Sequence, residues 1–178
     1  MKSFRTYTTC LLIAAFSYAL HAQTTGKQEP VKAVRAFAEQ FYGWYVPIAQ
    51  RENRVPASDI ALQKKGSMFA SELARALQED SKAQAKAQEI VGIDFDPFLN
   101  SQDPCERYEV GQVLPKGKNY MVEIRSVCNG VRSKKADVIA EVAQSNDKWI
   151  FVNFHYPEGG DLMAILKSLR NDRKKITK

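Results

Sequence analysis

Apolar side chains recur at intervals of three and four residues from Val31 onward, which is the spacing of one face of an α-helix. This pattern predicts an amphipathic helix that is broken near Pro47, because proline removes a backbone donor and clashes with the preceding turn. The first helix should therefore bring an aromatic-rich face to the core. The residues on that face are Val34, Phe37, Ala38, Phe41, Trp44, Tyr45 and Ile48.

Two further helices are predicted beyond a connector at residues 51–56. Ser58 and Asp59 are expected to cap a short helix that Gly66 ends, and Ser67 is expected to cap a longer one. The later part of that longer helix is polar and should be solvated. Its core-facing residues are Phe69, Leu73, Ala76 and Leu77.

The period of the pattern changes to two after a loop at residues 93–104, which predicts β-strands. Turn signals lie at Asn129-Gly130 and Asn146-Asp147, and residues 131–135 are expected to form an exposed loop edge. Asp161 is expected to cap a last helix from residue 162 to about residue 175. The four predicted strands are 108–114, 120–127, 138–143 and 149–156.

The predicted order of elements is that of an α+β domain: it begins with helices, continues with an antiparallel meander and ends with one more helix. We expect a curved four-stranded antiparallel sheet that wraps the leading helix, followed by a C-terminal helix. No internal repeat or domain boundary is visible, so residues 31–178 are predicted to form a single domain.

Alternation along the last strand predicts two faces. Ile150, Val152, Phe154 and Tyr156 are assigned to the core. The opposite face mixes aromatic and hydrogen-bonding groups, which suits either a small-molecule pocket or, as the favoured interpretation, a surface covered by a helix with the histidine bonded to a backbone carbonyl. The residues of this second face are Trp149, Phe151, Asn153 and His155.

Residues 1–22 have the organisation of a signal peptide, with Lys2 and Arg5 before an apolar stretch at residues 10–16. The stretch is too short to span a bilayer, which takes ~20 apolar residues. We therefore predict a soluble exported protein, periplasmic or secreted, with no stable membrane insertion. Residues 23–30 are polar and are predicted to be disordered.

Charge gives little support for a nucleic-acid partner. The chain has 26 Lys and Arg against 20 Asp and Glu, a net charge of +6. Removal of the predicted signal peptide takes two basic residues and leaves 24 against 20, or +4. A nucleic-acid binder usually concentrates more basic charge on one face. At 44% hydrophobic residues the composition is that of a globular protein.

Two cysteines, Cys105 and Cys128, remain once the predicted signal peptide and its Cys10 are removed. In an oxidising compartment they predict a disulfide, which would stabilise the domain by ~3 kcal/mol. The competing interpretation is a nucleophilic thiol, but the only histidine left to act as its base is His155.

A hairpin between the first two strands would bring these cysteines together. Pro115-Lys116-Gly117 suits a three-residue loop, which pairs Val110 with Val122 and Tyr108 with Ile124. The cysteines then lie within one residue of facing each other. A two-residue turn at Lys116-Gly117 would place them directly opposite but would mismatch the apolar pairs.

Three motifs carry a resemblance to a known family. They are Phe41-Tyr42-Gly43-Trp44-Tyr45, Asp94-Phe95-Asp96-Pro97-Phe98-Leu99 with Gln102-Asp103, and Lys148-Trp149-Ile150-Phe151-Val152-Asn153-Phe154. In these the chain resembles an uncharacterised family of small exported bacterial proteins, which is similar to the nuclear transport factor 2-like, cystatin-like fold. The resemblance implies a cone of sheet around a long helix, often enclosing a pocket, and it implies no settled activity.

The loop at residues 93–104 carries the sharpest chemical feature, a cluster of oxygen donors. Three interpretations stay open: the side chains fasten the loop, they contact a partner, or they bind a metal. The EF-hand template fails, since Phe98 is fifth and Cys105 twelfth from the first aspartate. One histidine and two disulfide-inclined cysteines make a zinc site unexpected, and no cofactor is predicted. The cluster consists of Asp94, Asp96, Asn100 and Asp103.

An enzyme is the alternative to a binding protein. A ketosteroid-isomerase-type site would need a carboxylate base and an oxyanion donor, for which Asp94 or Asp96 with Tyr42 or Tyr45 can be nominated. No spacing in the sequence forces these groups together. Basic residues on the last helix are explained first by the helix dipole and second by an anionic envelope surface.

The leading hypothesis is an exported, non-catalytic binding or interaction domain that holds a small ligand or a protein partner in the cell envelope. Its candidate binding residues are the loop cluster, Tyr45 of the first helix, and Trp149, Asn153 and His155 of the last strand. An inhibitor or immunity protein is a special case of this hypothesis. The alternative is a small periplasmic isomerase or hydrolase with its site inside the cone.

Overall fold

The structure is a computed structural model that describes the backbone of residues 14–176 and the side chains of residues 29–175. Residues 1–13 of the predicted signal peptide therefore lie outside the described residues. Helix α1 runs over Ala14–Ala49. It includes residues 23–30, where the sequence predicts disorder, and in this respect the structure differs. Gly26 and Pro30 lower the helix propensity of this segment, and α1 nevertheless continues through both residues.

Helix α1 also continues past Pro47, where a break was predicted. Pro47 lies in the last turn of the helix, so its missing N–H costs a single intrahelical hydrogen bond. The helix ends two residues later at Ala49.

Helix α2 spans Ala57–Lys65 and begins after Pro56 without a side-chain cap, so Ser58 and Asp59 are not its caps. Both residues lie in the first turn instead, where Asp59 accepts a hydrogen bond from the Ser81 hydroxyl at 2.5 Å. This hydrogen bond joins α2 to the next helix, so Asp59 holds the two helices together.

A 3₁₀ turn at Gly66–Met68 precedes helix α3, Ser71–Gln84. Ser67 lies in that turn and does not cap α3, which also lacks a side-chain cap. Phe69 is extended rather than helical because it forms a parallel bridge with Phe151, and the N–H of Ala70 donates to the Phe151 carbonyl at 2.8 Å. The sheet edge therefore delays the start of the helix.

The sheet is antiparallel, with the strand order β1-β2-β4-β5 and with β3 paired to the end of β2. The described chain thus has five strands where four were predicted, because the Asn129-Gly130 turn lets two residues of the expected loop pair with β2. Helix α4, Leu162–Ile176, follows the sheet, and Asp161 caps it through the Ala164 N–H at 3.0 Å. The strands are β1 Arg107–Lys116, β2 Asn119–Cys128, β3 Val131–Arg132, β4 Val138–Ser145 and β5 Lys148–His155.

The first hairpin differs from the predicted register. Its turn is the two-residue Gly117-Lys118, and Val110 pairs with Ile124 rather than with Val122. A bulge at Gly111 absorbs one extra residue on β1. The sequence pattern did not reveal this bulge, which shifts every pair beyond it by one position.

The disulfide between Cys105 and Cys128 is present, with the two Cα atoms 5.0 Å apart. It closes the open end of the first hairpin, as the prediction required. The two cysteines are not directly opposite, because Arg107 pairs with Val127.

The predicted alternation on β5 is interrupted by a second bulge. Glu141 pairs with Asn153 and Val142 with Phe151, which leaves Val152 as the extra residue. Phe151 and Phe154 are consequently both fully buried and pack against each other, so the predicted placement of Phe151 on the face opposite Phe154 is wrong. Ile150 and Val152, predicted to be core, are only half-buried.

The sheet and α1 enclose an aromatic cluster. Phe41 lies at its centre, with ring centroids 4.9 Å from Phe151, 5.5 Å from Phe69 and 5.7 Å from Phe98. Phe98 in turn lies 4.9 Å from Phe154. The space between the helix and the sheet is therefore occupied by side chains.

Candidate functional site

Asp96 anchors the loop at residues 93–104 to α1. Its Oδ2 accepts a hydrogen bond from the Tyr45 hydroxyl at 2.5 Å, and its Oδ1 accepts from the backbone N–H groups of Phe98 at 2.9 Å and Leu99 at 3.2 Å. An aspartate that accepts from amides two and three residues onward folds its own backbone into a turn. The turn closes at Asn100, which adopts φ 52°.

Two more tyrosines hold the same loop by its carbonyl groups. The Tyr42 hydroxyl donates to the Phe98 carbonyl and the Tyr156 hydroxyl to the Pro97 carbonyl, each at 3.0 Å. These bonds satisfy backbone acceptors that the burial of Phe98 would otherwise leave without water. The loop is therefore fastened from both α1 and the end of β5.

Burial of the Asp96 carboxyl group raises its pKa to about 6 from the ordinary 3.8, although hydrogen bonds from Tyr45 and the two amides oppose the shift. Burial and the neighbouring Asp96 charge raise the pKa of Tyr45 well above 10.0. At neutral pH Tyr45 is thus a neutral donor and Asp96 is mostly a carboxylate. The pair combines a carboxyl group of raised pKa with a tyrosine hydroxyl.

A cleft of about 550 Å³ opens beside Asp96. We call it the rim cleft: it lies between residues 49–58, which join α1 to α2, and residues 93–104. Its volume is in the range of small-molecule sites. Its lining includes Arg51, Asn53, Arg54, Val55, Pro56, Ser58, Ile93, Asp94, Phe95, Asp96, Pro97, Ser101 and Gln102.

A smaller cavity of about 260 Å³ shares a wall with the rim cleft at Val55, Phe95 and Pro97. We call it the side cavity. Leu77 and Ile93 extend its apolar lining. Its polar lining consists of Arg54, Ser58, Asp59, Asp80, Ser81 and Gln84. Gln84 Oε1 is already bonded to the N–H groups of Val91 at 2.8 Å and Gly92 at 2.9 Å.

The predicted loop cluster does not converge on one point. Asp94 is exposed and lines the rim cleft beside Asp96, with a 3.5 Å contact from Gln102. Asn100 turns away and donates to the Asp137 carbonyl at 3.3 Å and to Glu158 at 3.4 Å. Asp103 is exposed and its N–H donates to the Ser101 hydroxyl at 3.1 Å. Across the described residues, no three His, Cys, Asp or Glu side chains form a group that could hold a metal ion.

His155 and Asn153 lie in other networks. His155 Nε2 is 2.9 Å from Glu141 Oε2, so its partner is a carboxylate rather than the predicted backbone carbonyl. Burial raises the pKa of Glu141, but hydrogen bonds from Asn119 and His155 overcome this effect and leave the pKa below its usual value. Asn153 donates to Asp161 at 2.9 Å and accepts from the Met163 N–H at 3.2 Å, which joins β5 to α4.

Trp149 lies apart from both the rim cleft and the networks of His155 and Asn153. Its ring packs edge-on against Tyr120, with centroids 5.5 Å apart, and lines a different cavity of about 400 Å³ with Pro30 and Lys118. Of the predicted site residues, the structure therefore joins the buried Tyr45 to Asp96 and places Asp94 and Asp96 on one cleft, whereas the β5 residues lie elsewhere.

The residues that the sequence analysis missed are those of the α1–α2 connector. Arg51 and Arg54 line the rim cleft, and within the described residues neither guanidinium has an ion-pair partner. Val55 is 51% exposed beside them. Two arginines within four residues, shortly before a proline, are a sequence feature that could have indicated a binding segment. A connector has no hydrophobic periodicity, however, so the sequence does not show which cleft these residues line.

Among the helices described, none combines the length and apolar character that crossing a membrane requires.

Comparisons with known proteins concern the fold only. No protein-family model matches the sequence, and no curated protein shows significant similarity to it. Among solved structures, the chain is similar to a protein of unknown function from Bacteroides thetaiotaomicron VPI-5482. The TM-score is 0.53 over 76% of this chain and 98% of that chain. The two sequences are 14% identical, so the likeness describes a shared α+β architecture.

Proposed function

We propose that the protein is an exported, non-catalytic binding domain of the nuclear transport factor 2-like type, and that it holds a small ligand in the rim cleft. The observation that carries the proposal is a contrast within the fold. The space between α1 and the sheet is filled by aromatic side chains, whereas the rim cleft is open and combines charged, polar and apolar groups.

The filled interior argues against a reaction inside the cone. Phe41, Phe98, Phe151 and Phe154 are each at most 1% exposed and pack ring against ring. A substrate would have to displace these rings, at a cost of several kcal/mol for each buried aromatic group. Binding at the rim needs no such rearrangement.

Export is supported by the charged and apolar organisation of residues 1–22 and by the disulfide between Cys105 and Cys128, which is a feature of oxidising compartments. The cone fold is supported by the order of the elements and by a sheet that packs on the aromatic face of α1. A ligand of the cell envelope suits this location better than a nucleic acid.

A second candidate function rests on one observation, the pairing of Asp96, which lines the rim cleft, with the buried Tyr45. A carboxyl group with a pKa near 6 is suited to general acid or base catalysis, and a neutral tyrosine is suited to hydrogen bonding an oxyanion. Both Asp96 oxygens already accept hydrogen bonds from the protein, which favours a role in holding the loop.

A fragment titration followed by NMR amide shifts tests the proposed function. Ligands should shift residues 51–58 and 93–104, and Ser58→Trp should abolish those shifts because Ser58 lines both cavities. Ser168→Trp on the exposed side of α4 is the matched control and should bind as the native protein does. Shifts confined to the sheet interior, or unchanged binding by Ser58→Trp, would contradict the proposal.

A further inference from the structure

The two walls of the rim cleft carry opposite charge. Arg51 and Arg54 lie on the connector wall, and Asp94 and Asp96 lie on the loop wall. Within the described residues neither arginine forms an ion pair, although the exposed acidic residue Glu52 is adjacent to Arg51 in sequence. Among the residues described, the basic and acidic side chains that line this cleft are therefore not paired with each other.

The two carboxylates differ in their availability. Asp96 has both oxygens committed to Tyr45 and the loop amides. Asp94 is exposed, and among the side chains described its only contact is the 3.5 Å one from Gln102. Asp94 is thus the acceptor that a positively charged ligand group can reach. On the opposite wall, a guanidinium can donate two parallel hydrogen bonds to a ligand carboxylate.

The side cavity adds an apolar subsite. Val55, Phe95 and Pro97 separate it from the rim cleft, and Leu77 and Ile93 continue its apolar surface. An apolar side chain placed there would remain attached to a backbone lying in the wider cleft. Burial of that side chain would stabilise the complex by the usual hydrophobic effect.

We infer that the ligand is a zwitterionic short peptide or amino acid with a bulky apolar side chain. Its carboxylate binds the Arg51 and Arg54 guanidiniums, its ammonium group binds Asp94, and its side chain enters the side cavity. This inference rests on the proposed function, since it names the ligand class of the same cleft.

The dipeptide Ala-Phe is the probe, compared with N-acetyl-Ala-Phe, Ala-Phe-amide and Ala-Ala in NMR titrations of the purified protein. Ala-Phe should shift residues of the rim cleft and bind at least 10-fold more tightly than each of the other three. Each analogue removes one recognised group: the ammonium, the carboxylate or the aromatic ring.

Variants connect each ligand group to its residue. The double variant with Arg51→Gln and Arg54→Gln should lower the affinity for Ala-Phe at least 10-fold and leave the binding of Ala-Phe-amide unchanged. Asp94→Asn should weaken the binding of Ala-Phe and leave the binding of N-acetyl-Ala-Phe unchanged. Arg75→Gln on α3, another exposed arginine, is the control and should change nothing.

Equal binding of all four probes, or unchanged binding of Ala-Phe by the double arginine variant, would overturn the inference. If a different fragment binds the rim cleft and Ala-Phe does not, the inference fails and the proposed function stands. If neither binds there, both fail.

Discussion

The Tyr45 hydroxyl donates to Asp96 Oδ2 at 2.5 Å and so joins the last turns of α1 to the loop that begins the sheet half of the fold. The two residues are 51 positions apart in sequence. Because Asp96 also accepts from the amides of Phe98 and Leu99, this contact fixes both the position of the loop and its internal turn. The wall of the rim cleft depends on it.

Tyr45→Phe should destabilise the protein by about 1–3 kcal/mol, because it leaves a largely buried carboxylate without one of its donors. Urea denaturation measures the change in the free energy of unfolding. Tyr120→Phe is the control, since the Tyr120 hydroxyl makes no hydrogen bond within the described residues. Equal losses in the two variants would show that the Asp96 contact contributes little.

Asp96→Asn should change how stability depends on pH. The folded pKa of about 6 exceeds the ordinary 3.8, so the folded state binds the proton more tightly than the unfolded chain does. Stability from this group is therefore fully present below about pH 4 and is lost as the pH rises through 6. The free energy of unfolding of the native protein, relative to Asp96→Asn, should fall by up to about 3 kcal/mol between pH 4 and pH 7. Parallel pH profiles for the two proteins would contradict the raised pKa.

Replacing Cys105 and Cys128 together by serine should cost about 3 kcal/mol, because the disulfide restricts the unfolded chain across 23 residues. Thermal unfolding with and without reductant measures the loss, and reductant should affect only the native protein. Intact-mass spectrometry of the native protein, purified without reductant, should give a mass lower by two hydrogen atoms than that of the form with two free thiols. Two free thiols in that material would remove this support for export.

Gly111→Ala should destabilise the protein by about 1–2 kcal/mol, because the added Cβ would lie 2.8 Å from Glu123 Oε2 and 3.0 Å from Glu123 Cβ. Gly43→Ala is the matched control. A Cβ at Gly43 meets no atom within 4 Å, and in a helix the change should stabilise by about 0.5–1 kcal/mol. Denaturant midpoints compare the two, and a neutral Gly111→Ala would contradict the close approach of the Glu123 side chain to Gly111.

The existence and order of the helices and of the four long strands, and the disulfide that closes the first hairpin, follow from local signals, whereas the caps of α2 and α3 and the start of α3 do not. The spacing of Phe41 and Tyr45 marks the buried face of α1, and Asn146-Asp147 marks a turn whose residues both adopt positive φ. These features depend on neighbours in sequence, so a single sequence suffices to predict them.

The bulges and the cleft could not be predicted, because they depend on contacts between distant segments. Phe151 becomes a core residue only through the extra position at Val152, and Phe69 is drawn from the expected helix by its bridge to β5. Likewise, nothing local to Arg51 or Arg54 indicates that they line the same cleft as Asp94. The pairing of Asp96 with Tyr45 was one of the four aspartate–tyrosine pairs that the sequence allowed, but only the folded structure shows which pair forms.

A crystallographic fragment screen tests the central claim most directly. We predict that bound fragments will recur in the rim cleft between residues 51–58 and 93–104, with the rings of Phe41, Phe98 and Phe151 unmoved. Fragments bound between α1 and the sheet in place of those rings, or a rim cleft that stays empty while fragments collect elsewhere, would contradict the account.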